Sequence, residues 1–149
     1  MRQDKLARPL RLPRTTGLLA WLRLARVFQK VDRASVEHLR GWGLSVAQFD
    51  VLAQVGVAEG ITQQELARSL LVTKGNVAQL LDRMEAAGWL RRCQEGRCNR
   101  LVLTEEGRTL HAAVVPAQEE FITRLFATLS PDERAALLAT LRRLDHALS

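Results

Sequence analysis

Three polar side chains spaced for one helix face, Asn76, Gln79 and Arg83, carry the most specific chemistry in this chain. At i, i+3 and i+7 they share one side of a helix that turns about 100° per residue. A carboxamide can pair bidentately with an adenine edge, and a guanidinium with guanine or a phosphate, so such a face suits the major groove of a duplex. Taken alone, the same residues also describe an ordinary solvated helix face. A basic segment follows, with Arg91, Arg92, Arg97 and Arg100 set against the single acid Glu95 in residues 91–103, a local excess of +3.

Two cysteines, Cys93 and Cys98, lie in that segment. If Glu95-Gly96 forms a two-residue loop, the thiols face each other at a non-hydrogen-bonded pair, about 4.5–5.5 Å apart at Cα and within disulfide reach. Oxidation would then reshape the segment. One residue of slip separates them and leaves two reduced, small apolar residues. His38, His111 and His146 are far apart with no ligand-spaced partners, which favours surface or core histidines over a metal site. The sequence offers no Ser/His/Asp or Cys/His arrangement, no glycine-rich phosphate loop and no paired carboxylates. An enzyme is therefore set aside, and no cofactor is expected.

The elements that must position these residues follow from capping signals. Thr62 and Glu65 form a capping box, with Ile61 and Leu66 as its hydrophobic staple. The helix it opens runs to about Leu70, because Thr73 is a second N-cap candidate and Gly88 offers a left-handed stop for the next helix. On that second helix Val77, Leu80, Leu81 and Met84 form the apolar side. Residues 62–88 therefore read as a helix-turn-helix. After Gly88, alternating character on both sides of Gly96 predicts a β-hairpin with Arg97 near its tip. Arg91 and Arg92 point to opposite faces of the strand, so at most one of them can face a duplex. A helix-turn-helix followed by a basic hairpin is a winged helix.

On the N-terminal side, residues 1–14 hold Pro9, Pro13 and five basic residues against Asp4, a net +4 that reads as an extended basic arm. With +6 on the whole chain, the rest carries −1, so the excess is confined to the arm and the hairpin. The excess calls for a polyanionic partner. A long helix is expected from Thr15 or Thr16 to about Arg40, broken by Gly41-Trp42-Gly43; Ser45 and Gln48 then open a helix to about Val57. Ile61 is expected to pair briefly as a strand. Thr104 can cap a helix passing Pro116, where a kink or break is expected. Ser130-Pro131-Asp132-Glu133 starts the last helix, whose stripe of Ala135, Leu138, Leu141, Leu144 and Leu148 is more than a small domain can cover alone. The first helix likewise carries a stripe wider than one core needs, which points to a second copy. Arg23 and Arg26 interrupt the first apolar stretch, residues 17–28, and argue against a signal peptide or a membrane span. With two cysteines the expected compartment is the reducing cytoplasm.

In order and spacing, the segments Leu44-Ser45 with Gln48-Phe49, Gln64-Glu65-Leu66-Ala67, Val72-Thr73-Lys74-Gly75-Asn76-Val77, Leu81-Asp82-Arg83-Met84-Glu85, Gly88-Trp89-Leu90-Arg91-Arg92 and Leu103-Thr104-Glu105-Glu106-Gly107 resemble the MarR-type winged-helix transcriptional regulators. The resemblance covers nearly the whole chain. It implies a mainly α fold with a small β-hairpin wing, and a homodimer whose N- and C-terminal helices interlock. Two recognition helices would then lie about one DNA turn apart on a pseudo-palindrome. Family members carry Asp-x-Arg in the wing; here Glu95-Gly96-Arg97 occupies those positions in a hairpin about three residues shorter before the motif. By the resemblance Glu95 braces the wing and Arg97 enters the minor groove. Thr73, Lys74, Gly75, Asn76, Gln79, Arg83 and Arg100 complete the expected DNA contacts. Many relatives bind small aromatic effectors between the dimerisation helices and the DNA-binding lobe, and some sense oxidants. Trp21, Trp42, Phe49 and His111 are candidates to line such a pocket, or are core residues.

The expected organisation is a basic arm at residues 1–14, an N-terminal dimerisation helix at 15–43, the winged helix-turn-helix at 44–104 and C-terminal dimerisation helices at 105–149. The expected function is a sequence-specific regulator, a repressor released by an effector or oxidant. The competing reading is a winged helix that serves as a protein-interaction module, which would not need the Asn76/Gln79/Arg83 face or Arg97 to be polar and basic.

Overall fold

Capping chemistry sets the boundaries of nearly every helix. The computed structural model describes residues 15–70 and 76–149, so the basic arm and the positions Thr73, Lys74 and Gly75 lie outside the described residues. Helix α1 (Thr16–Arg40) starts at Thr15, whose hydroxyl accepts from the Leu18 amide. It ends where Gly43, at φ +72°, lets the Leu44 and Gly43 amides return to the carbonyls of Leu39 and Arg40. Capping boxes of Ser45 with Gln48 and Thr62 with Glu65 open α2 (Val46–Val57) and α3 (Gln63–Ser69). Thr62 also holds the Glu65 carboxyl below its ordinary pKa, through the backbone N–H first and the side chain second.

Helix α4 (Val77–Ala86) closes with the same paired bonds, Trp89 N–H to Met84 and Gly88 N–H to Glu85, around Gly88 at φ +80°. Strands β1 (Leu90–Glu95) and β2 (Cys98–Leu103) follow as an antiparallel hairpin. The expected pairing near Ile61 takes the form of a bridge between Thr62 and Arg100, flanked by reciprocal backbone bonds of Leu101 with Gly60 and Ile61.

Helix α5 (Glu105–Leu125) is capped by Thr104 and continues past Pro116 as expected, without a break there. Pro116 and Ala112 are both exposed, so the carbonyl freed by the missing N–H faces water. Ser130 and Glu133 box the start of α6 (Pro131–Ala147), with Pro131 in its first turn.

The core lies almost wholly in residues 44–103, from the approach to α2 through β2. Leu44, Val51, Leu52, Val55, Leu66, Leu81, Met84, Leu90, Leu101 and Leu103 are buried there, joined by Leu39 of α1 and Val114 of α5. Helix α5 is seated closely: a Cβ at Gly107 would overlap the Trp89 carbonyl oxygen. Between α1 and α5, His38 stacks on Phe121 and bonds Gln118, which in turn donates to Ser35. Helix α6 contributes no buried residue.

Candidate nucleic-acid interface

Helix α4 has three sides, not the two its sequence suggests. Leu81 and Met84 are buried, with Val77 and Leu80 packed against the core. Gln79 and Arg83 are exposed on another side and engage no partner among the described residues. Asn76 shares that side but is the helix N-cap, its Oδ1 accepting from the Gln79 amide at 3.2 Å. One lone pair and the NH2 group are left for a base edge. The sequence placed the cap at Thr73; within the described residues Asn76 fills that role.

The third side is held by Arg92. Its guanidinium donates to Asp82 Oδ1 at 2.6 Å, Glu85 Oε2 at 3.0 Å and the Ala78 carbonyl at 3.0 Å, while its backbone N–H reaches Glu85 Oε1. Arg91, its neighbour on the strand, is exposed. The sequence allowed one of these two arginines to face a duplex, and the inward one is Arg92. Its partners lie seven to fourteen residues away on another element, so hairpin alternation could not name them. The signal that was present is Asp82 and Glu85, an i, i+3 acidic pair just before a strand carrying arginine.

In the wing, Glu95 pairs with Cys98 and Cys93 with Arg100 across the strands, leaving Gly96, at φ +60°, and Arg97 as the turn. Of the two registers the sequence allowed, this is the slipped one, in which Cys93 and Cys98 are not directly opposite. A glycine in the left-handed region defines the turn better than Glu-Gly, and moving the loop by one residue separates the cysteines. Glu95 meets Arg100 at 2.6 Å, and Arg100 also donates to the Gly60 carbonyl at 2.9 Å. Arg100, expected at DNA, thus makes internal bonds through Nε and Nη1 while its side chain stays 44% exposed. Arg97 at the turn is exposed and borders an open cleft with Thr62, Gln63, Gln64, Ala67, Val77 and Asn99.

The aromatic candidates for an effector pocket are scattered in environment. Trp21 is 62% exposed and Trp42 is 38% exposed, Phe49 packs on the core, and the His111 ring lies against Gly56. Two buried polar atoms near the α1, α2 and α5 packing, Asp50 Oδ2 and His111 Nε2, have no hydrogen-bond partner among the described residues. Burial, and then the nearby Asp32, push the Asp50 carboxyl above its ordinary pKa. Among the described residues no group of three or more His, Cys, Asp and Glu could hold a metal ion, and no helix is long and apolar enough to cross a membrane.

Comparison with known proteins gives this geometry its context. A family model described as MarR family matches residues 42–97. An uncharacterized HTH-type transcriptional regulator of Bacillus cereus is 34% identical over 132 residues, spanning 89% of this chain and 90% of that one. A MarR family transcriptional regulator from Silicibacter pomeroyi superposes with a TM-score of 0.79 at 25% identity, covering 89% and 95% of the two chains. The S. aureus MepR–DNA complex gives 0.71 at 25% identity, covering 91% and 98%.

Proposed function

This chain belongs to the MarR family and is a DNA-binding transcriptional regulator, and on that premise we propose that it works as a homodimeric repressor on a pseudo-palindromic operator. The observation that carries the proposal is the coexistence of an exposed polar face on α4 with terminal helices whose apolar stripes stay largely exposed among the described residues. Leu19, Trp21, Phe28, Leu138 and Leu144 are all exposed. A 17-residue helix with nothing buried is marginal on its own in water, so a second copy is the natural cover for α6.

Residues 15–43 and 105–149 would then form the dimer, and residues 44–104 would read DNA. Gln79 and Arg83 face base edges from α4, with Asn76 beside them and Thr73, Lys74 and Gly75 leading in. Arg97 enters the minor groove, where narrow tracts attract arginine, and Glu95 and Arg100 brace the wing that carries it. Release by a small-molecule effector or an oxidant, as the resemblance implies, would be its control; the strand register sets Cys93 opposite Arg100 and Cys98 opposite Glu95.

The test is selection of duplexes from a random pool with the wild-type protein, followed by gel-shift titration at several salt concentrations. Inverted half-sites about one helical turn apart, bound with steep salt dependence, are expected. Selected duplexes without two-fold symmetry would refute the dimeric reading.

A further inference from the structure

Two of the four wing arginines are spent on internal bonds, and their anchors differ. Arg100 ties β2 to the loop before α3 through Gly60. Arg92 ties β1 to α4 itself. Its three anchors, Ala78, Asp82 and Glu85, follow one another at four and three residues, one per turn, so a single guanidinium grips two successive turns of one helix edge. That edge is neither the buried side nor the side bearing Gln79 and Arg83. The Arg92 side chain is only 21% exposed, and its Nε is buried without a partner among the described residues, so the fork points into the protein.

We propose that Arg92 is a positioning residue for DNA reading, fixing the distance and rotation of the wing relative to α4. The proposal rests on the reading of α4 as the groove-facing helix. A dimer that places α4 in one groove and the hairpin tip in the next needs the two elements at a set spacing. The turn at Gly96-Arg97 lies five residues along the strand from Arg92, roughly 17 Å away at the usual rise. A small rotation at the strand's root is thereby amplified at Arg97. Lysine keeps the charge at position 92 but presents a point donor in place of a planar fork, and cannot hold two carboxylates and a carbonyl in one fixed geometry.

The experiment measures affinity for a duplex selected with the wild-type protein and for a random-sequence duplex of equal length. It does so for wild type, Arg92→Lys, the double variant Asp82→Asn/Glu85→Gln, and Gln79→Ala, at a temperature where circular dichroism reports each fully folded. The expected result is that Arg92→Lys and the double variant each lower the ratio of specific to random affinity at least tenfold, with random-duplex binding nearly unchanged. An Arg92→Lys protein that melts earlier but keeps the wild-type ratio would reduce the residue to a stabilising contact and overturn the proposal. Wild-type behaviour of the double variant would overturn it equally, and this variant serves as the test if Arg92→Lys does not fold. Should Gln79→Ala alone keep the ratio, the groove-facing reading of α4 fails, and the positioning role that rests on it falls with it. Should Gln79→Ala alone lower it, the clamp fails while that reading stands.

Discussion

Leu81 in α4 and Leu144 in α6 both lie on the apolar stripe of an amphipathic helix, yet Leu81 is completely buried and Leu144 is 48% exposed. The same contrast runs through the regions around them. Helices α2, α3 and α4 and the hairpin close on one another and bury a contiguous set of leucines and valines. Helices α1 and α6 bury Leu39, Ser35 and nothing more. Each buried leucine or valine stabilises by about 1.5–3 kcal/mol, so the winged lobe has its driving force within one chain and α6 does not. The difference teaches where each part's stability resides: in the lobe's own packing, and for the terminal helices, on the dimer proposed above, in a second molecule.

The sharpest way to break this contrast is to damage each side and ask whether protein concentration matters. Leu52→Ala should cost about 2–5 kcal/mol in the lobe, lowering the calorimetric melting midpoint equally at all protein concentrations. Leu138→Glu with Leu144→Glu should yield monomers by sedimentation and weaken binding to a selected duplex at least about a hundredfold, the scale of lost bivalency. The concentration dependence of melting should vanish with it. Gly107→Ala strikes the joint between the two regions, forcing a methyl into the Trp89 carbonyl, and should cost about 1–3 kcal/mol by thermal or denaturant unfolding.

Smaller effects sharpen the picture at the surface. Arg97→Ala should lower the salt slope of binding by about one while leaving melting unchanged. Asp50 gives a pH signature. Its carboxyl is held above its ordinary pKa, so the charged form is disfavoured in the folded chain; this cost is full at a pH well above the raised value and is relieved as pH falls through that value toward the ordinary carboxylate range. The melting difference between Asp50→Asn and wild type should thus favour the variant more at pH 7 than at pH 4.

How much of this was readable beforehand depends on how local the deciding interaction is. The Ser45/Gln48, Thr62/Glu65 and Ser130/Glu133 boxes span three residues each, and the helix starts they imply are the observed ones. The hairpin was legible as a hairpin, but its register turned on whether Gly96 came second or first in the loop. That choice is tied to Thr62 and Gly60, far away in sequence. Pro116 read as a kink or break within a continuing helix because the sequence does not reveal that its turn faces water. The candidate interface was legible as a polar face on α4. The roles of Arg92 and Arg100 were hidden, since a guanidinium reads alike whether it will meet a phosphate or a carboxylate of its own chain.

Helix α5 has a mechanical consequence. It leaves β2 with only Thr104 between them and runs unbroken for 21 residues, with Thr104 bonded to both Gly88 and Gly107 at its root. At about 1.5 Å per residue this is a strut about 30 Å long, and a tilt of about 10° at one end displaces the other by about 5 Å, one helical pitch. The strut is a lever arm with its fulcrum at the wing. A ligand that changed the crossing angle of two paired chains by a few degrees would carry α4 out of step with the groove, leaving every leucine of the lobe in place.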